Sequence, residues 1–210
     1  MVSCCKQMEN KGYIIVDGSH LLSSIHELWR VVPEFKDRKL DLGKLSLRLQ
    51  EKWQRYMSSI VRTIFYFKPN ESRLETLVII PEANKPGLKS HWIIKKCGQG
   101  LSNIPDDELI KISPEYRDHF SRSEKGLDVK LVCDVLSFLT SKVASNFVFL
   151  VNDRDYIPLF ESVEQLGGNV YLTSLHSELH IQKSLAEMSD MYLTLDEELE
   201  FIFESIQKQV

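Results

Sequence analysis

Cysteine is scarce in this chain, and Cys4, Cys5, Cys97 and Cys133 form no CxxC pair. That usage suits neither a zinc site nor a disulfide framework, so a reducing cytoplasm is the expected compartment. Long apolar runs are missing as well, with nothing near the ~20 residues that span a bilayer. The opening Met1-Val-Ser-Cys-Cys-Lys6 has no apolar core of the secretory kind, so no membrane is expected among the partners. No GxGxxG follows the first predicted strand, which leaves a dinucleotide site little support. Nor is there an excess of positive charge: 26 Lys and Arg face 30 Asp and Glu, a formal net charge of −4. Non-specific attachment of the whole molecule to nucleic acid is thereby disfavoured, although net charge averages over local patches. Basic residues dominate from Lys36 to Arg62, while Glu187 to Glu204 is acidic. The basic stretch suits either a substrate read through its phosphates or a solvated helix face.

What is present fits one globular domain over 210 residues, with 43% hydrophobic and 27% charged residues. Tyr13–Val16 reads as a strand, and Ser19 or His20 opens a helix that Pro33 ends. A second helix is predicted from about Leu42 to Ser58, followed by the strand Val61–Phe67. The stretch 71–124 reads as a variable insertion. Within it Thr76–Ile80 and His91–Lys96 are candidate strands paired across Asn84, Pro86 and Gly87, or the first is the end of a helix. Beyond it come a helix over Asp128–Ser141, the strand Phe147–Val151, a helix over Ile157–Leu166 closed by Gly167-Gly168, and the strand Val170–Thr173. A helix over Glu178–Ala186, an edge strand Met191–Leu195 and a helix over 196–207 capped by Asp196 complete the chain. Alternating strands and helices predict a three-layer α/β/α sandwich on a mostly parallel sheet. Exposed edges and the last helix leave room for a homodimer.

Asp153 and Asp155 follow directly on the fully apolar run Phe147–Val151, and Asp17 ends the first strand in the same way. A further acid, Asp128, sits in a Gly-Leu-Asp turn. Ligands of open α/β sheets bind beyond the carboxyl ends of the strands. Acids gathered there repel one another unless a metal or protons neutralise them, so they form a candidate metal site. Weaker signals are discounted. His176-Ser-Glu-Leu-His180 lacks a third zinc ligand, and Cys133 is expected to pack as a small hydrophobe.

Val16-Asp-Gly-Ser-His20, the segment from Lys125-Gly-Leu-Asp128 to Asp134, and Val151-Asn-Asp-Arg-Asp-Tyr156 with Pro158, Leu159 and Gly167-Gly168 resemble the NYN domains of PIN-like nucleases. The likeness runs from Tyr13 to Leu195, outside 71–124. It implies a Rossmann-like PIN fold and a divalent-metal-dependent endoribonuclease acting on RNA, single-stranded by expectation. Asp17, Asp128, Asp153 and Asp155 match the catalytic, metal-binding acids, with Mg²⁺ or Mn²⁺ as the ion suited to hard carboxylate oxygens. Asp153 is the first choice for direct contact, and Asp155 is expected to act through water. Asp134 lies 240° around the helix from Asp128, so it is assigned a supporting role. Lys125, Lys130 and Arg154, beside the acids, are candidates for phosphate contact. His20 stands where the family usually has Asn, and neutral His still offers one donor or acceptor to a neighbouring acid or water. That departure supports an alternative: a catalytically weak or inactive PIN-like module that binds RNA or a protein partner.

Overall fold

The computed structural model describes residues 10–68, 74–81, 92–96 and 125–205. Its strands are β1 (Lys11–Asp17), β2 (Arg38–Asp41), β3 (Ser59–Phe67), β4 (Val78–Ile79), β5 (Trp92–Lys96), β6 (Asn146–Leu150), β7 (Asn169–Ser174), β8 (Met191–Thr194) and β9 (Phe203–Ser205). Six of them form one sheet in the order β5-β3-β1-β6-β7-β8, every neighbour parallel. The helices are α1 (Gly18–Val31), α2 (Leu42–Trp53), α3 (Leu74–Leu77), α4 (Lys125–Thr140), α5 (Ile157–Gln165), α6 (Lys183–Glu187) and α7 (Leu199–Ile202).

The period of two along the central strands divides the core. Ile14, Val16, Phe65, Phe67, Val148 and Leu150 face one side, where they pack with Leu21 and Ile25 of α1 and with Leu45 and Leu49 of α2. Tyr13, Ile15, Ile64, Tyr66, Phe147 and Phe149 face the other, against Leu131, Val135, Leu159 and Phe160 of α4 and α5. Both faces of the sheet are therefore covered, which is why β1 and β6 carry no polar alternation. This is the three-layer α/β/α fold expected from the sequence. Among the described residues no helix is long and apolar enough to cross a membrane.

Several elements differ from the sequence reading. Trp92–Lys96 does not pair with the segment before it but joins the main sheet beside β3, while Thr76–Ile80 divides into the end of α3 and the short β4. The rest of 71–124 lies almost wholly outside the described residues. The helix expected over Glu178–Ala186 is confined to Lys183–Glu187. Cys133 is exposed, since it points away from the apolar stripe of α4.

The chain end departs most. In place of a helix over 196–207, a 3-10 turn and α7 end at Ile202, and β9 then pairs antiparallel with β2. Asp196 does not cap the helix because its carboxylate accepts the backbone N–H (2.9 Å) and hydroxyl (2.7 Å) of Ser177. The same segment covers the basic stretch. Arg38 pairs with Glu200 at 2.7 Å, Lys44 with Glu204 at 2.9 Å and Lys52 with Glu198 at 3.0 Å, and the Arg48 guanidinium lies 3.9 Å from the centre of the Phe201 ring. Pairs open to solvent contribute about 1 kcal/mol at most, whereas Leu199, Ile202 and Phe203 are buried in the core. Phe203→Ala is accordingly expected to cost about 3 kcal/mol in urea unfolding. Glu200→Ala, which removes the solvent-open partner of Arg38, should cost no more than about 1 kcal/mol, and an equal loss from both would show that charge rather than burial holds the segment.

Gly18 fixes the entry to α1. A Cβ there would strike the Phe67 ring and lie 2.5 Å from the carbonyl oxygen of Tyr66, which belongs to the backbone and has little freedom to move. Gly18→Ala is expected to lower stability by about 2 kcal/mol or more, read from the urea midpoint. A midpoint equal to that of the natural chain would mean that this junction relaxes.

Candidate active site

Chain connections leave β1 and β6 in opposite directions. From β1 the chain crosses by α1 and α2 to β3, and from β6 it crosses by α5 to β7 on the other side. Their carboxyl ends therefore flank the topological switch point, where open sheets leave a crevice. A cavity of about 250 Å³ occupies it, lined by Asp17, Ser19, His20, Ser23, Lys68, Leu127, Asp128, Asn152 and Asp153.

Asp17 ends β1 and caps α1. Its Oδ1 accepts the N–H of Ser19 at 2.8 Å and of His20 at 3.2 Å, satisfying donors that the first helical turn leaves open. Asp128 lies in the first turn of α4. Between them stands the hydroxyl of Tyr156, 3.0 Å from Asp17 Oδ2 and 2.8 Å from Asp128 Oδ1. Asp153 caps the 3-10 turn Arg154–Tyr156 by accepting the N–H of Asp155 at 3.0 Å. Asn152 fastens the neighbouring loop, donating to the His180 carbonyl (2.8 Å) and accepting from the N–H of Gln182 (2.6 Å).

The structure thus brings Asp17, Asp128, Asp153 and His20 to one cavity. Asp155 is exposed in the turn and is not part of the lining. Asp134 faces elsewhere, as the angle along the helix requires, and accepts from Lys95 at 2.6 Å, Lys130 at 2.8 Å and the Tyr66 hydroxyl at 3.0 Å. It ties α4 to β3 and β5, and Lys130 is engaged there. Arg154 donates through Nε to Gln182 at 3.0 Å. The Lys125 side chain lies outside the described residues. His176 forms no zinc clip: Nδ1 accepts the N–H of Glu178 at 3.1 Å and Nε2 meets Asp196 at 3.2 Å.

Tyr156, Lys68, Ser19 and Ser23 were not singled out as site residues. Lys68 follows the end of β3, so the strand-end rule that finds the acids also reaches it. Tyr156 carries a subtler signal: a buried tyrosine in a turn must find a partner for its hydroxyl.

Electrostatics follow from burial and crowding. Burial, with Asp128 beside it, pushes the Asp17 carboxyl above the usual range despite hydrogen bonds from His20, Tyr156 and Ser19. Burial lowers the His20 imidazole to about 4, so this ring is neutral at pH 7. Asp134 moves the other way, because hydrogen bonds from Lys130, Lys95 and Tyr66 outweigh its burial.

A phenol has one proton, yet two carboxylates approach this hydroxyl. The negative charge left over calls for a cation or a further proton. Among the described residues no three Asp, Glu, His or Cys side chains form a ready-made metal cage. Mg²⁺ does not require one, since it keeps several waters and binds through one or two carboxylates. The cavity has room for such an ion with its waters. The donor set fits a hard divalent cation.

No curated protein and no solved structure matches the chain significantly. The family model of the NYN domain matches residues 13–196, the span that carries the carboxyl end of β1, the cavity and all of its acids. The chain therefore belongs to the NYN domain family, a family of nucleases that generally depend on divalent metals.

Proposed function

We propose that this chain is a metal-dependent endoribonuclease that hydrolyses phosphodiester bonds of single-stranded RNA, with Mg²⁺ or Mn²⁺ as its ion. The observation that carries the reading is the convergence of Asp17 and Asp128 on one hydroxyl in a cavity at the sheet's switch point. Asp17 and Asp128 hold the ion, with Asp153 completing the set from the rim. Asp155, in the adjoining turn, acts through water. When bound, the ion supplies charge to a phosphate oxygen and acidifies the attacking water. Lys68, on the cavity wall, meets the phosphate of the substrate by charge. Neutral His20, whose Nε2 meets Ser24 Oγ at 3.2 Å, adds no charge to the site and has its other ring nitrogen left to offer water.

Circular single-stranded RNA tests the endonucleolytic step, because only an internal cut opens it. Cleavage should require Mn²⁺ or Mg²⁺, stop with a chelator and fall at least about tenfold in Asp153→Asn. Cleavage that persists under chelation would sink the reading.

A second reading, an inactive module that binds RNA or a protein partner, is favoured by one observation: His20 stands where the family usually has Asn, and its Nε2 is engaged with Ser24 Oγ at 3.2 Å. Calorimetric titration with Mn²⁺ separates the two. Carboxylate-dependent binding supports the nuclease, and its absence supports the module.

A further inference from the structure

We propose that Tyr156 is a positioning residue of this site: its hydroxyl bridges Asp17 and Asp128 and holds the two carboxylates together so that one ion can be shared between them. The proposal rests on the metal-dependent reading above. Two oxygens that each touch a single hydroxyl can be no farther apart than the sum of those two contacts, 3.0 and 2.8 Å. Within that limit one ion can meet one carboxylate directly and the other directly or through a water that it keeps. A carboxylate oxygen that accepts the phenol proton still has a second lone pair for the ion, so the bridge and the ion are compatible.

The hydroxyl is itself held firmly. The Tyr156 side chain is 1% exposed and belongs to the core between the sheet, α4 and α5. Its backbone N–H donates to the Asp153 carbonyl at 3.1 Å, and the Asp153 side chain caps the same turn. The three acids of the cavity are thus connected through one short turn, since Asp153 places Tyr156 and Tyr156 places Asp17 and Asp128. Packing alone does not require the oxygen at this position. Phenylalanine would fill the same space, and a buried hydroxyl costs free energy unless it finds acceptors. Here it finds two.

Tyr156→Phe keeps the ring and removes the bridge. Calorimetric titration with Mn²⁺, at a temperature where both proteins are folded, should show a 10- to 100-fold larger dissociation constant in the variant. Cleavage by the variant should recover toward the natural kcat as Mn²⁺ is raised, because the loss lies in ion affinity. Equal Mn²⁺ affinity in the two proteins would overturn the proposal and leave the nuclease reading intact. Absence of carboxylate-dependent Mn²⁺ binding in the natural chain would instead remove that reading, and this role with it. A metal-free check uses Tyr156→Phe, Asp128→Asn and the double variant in urea unfolding. Non-additive shifts support the bridge, and additive shifts overturn it.

Discussion

Asp17→Asn is expected to abolish Mn²⁺-dependent RNA cleavage while raising the stability of the metal-free protein. The loss should exceed the ~100-fold typical of removing a group that only orients a metal ligand, because Asp17 is proposed to touch the ion itself. Fold is spared, since Asn keeps an oxygen that can accept the N–H of Ser19 and His20 and is as good a helix cap as Asp. Stability rises for an electrostatic reason. The folded-state pKa of Asp17 is raised by burial and by Asp128, so its contribution to stability is fully present below the unfolded value and is lost as pH rises through the folded one. At pH 7 the charged form works against folding, and Asn removes that charge. Urea midpoints with and without Mn²⁺ check both halves. A variant that cleaves RNA at the natural rate would place the chemistry elsewhere.

Acidification from pH 6.5 to 4 is expected to destabilise the protein by up to about 3 kcal/mol through His20 alone. Its folded-state pKa is lowered to about 4, so its contribution is complete above pH 6.5 and disappears as pH falls through 4. Water in the cavity reduces that figure to the extent that it reaches the ring. At lower pH, Asp196 adds to the loss, being held at about 2 by hydrogen bonds from Thr194 and Ser177 that outweigh its burial. Asp134, also lowered, acts in the same direction, and Asp17 opposes both. His20→Gln keeps a neutral polar group and should flatten the dependence of the urea midpoint on pH between 6.5 and 4. Equal slopes for the two proteins would show that another group carries the transition.

Much of this could be seen in the sequence. The unbroken apolar runs of β1 and β6 announced strands covered on both faces, and the acids directly after them marked the strand ends where ligands bind. The helical angle between Asp128 and Asp134 separated them correctly: one meets Tyr156 in the cavity, while the other is held by Lys95, Lys130 and Tyr66. Local pattern failed where a segment depends on distant partners. Arg38–Asp41 has no strand-like alternation and becomes β2 because Val78–Ile79 and Phe203–Ser205 flank it. Phe203 likewise leaves the helical course expected of it to pair with Leu40. Backbone hydrogen bonds to remote strands outweighed local helix preference.

The sequence by itself determined the parallel sandwich, the gathering of Asp17, Asp128 and Asp153 at one cavity, and the family, because these rest on short-range periodicity and on motifs read in order. Only the tertiary structure decided which charges are available. It set the acidic chain end over the basic face of α2, directed Lys130 to Asp134, and put the hydroxyl of Tyr156 between two carboxylates. Each of those pairings joins residues on different elements or on one of two possible helix faces. Sequence spacing limits which groups can meet, but packing selects which of them do.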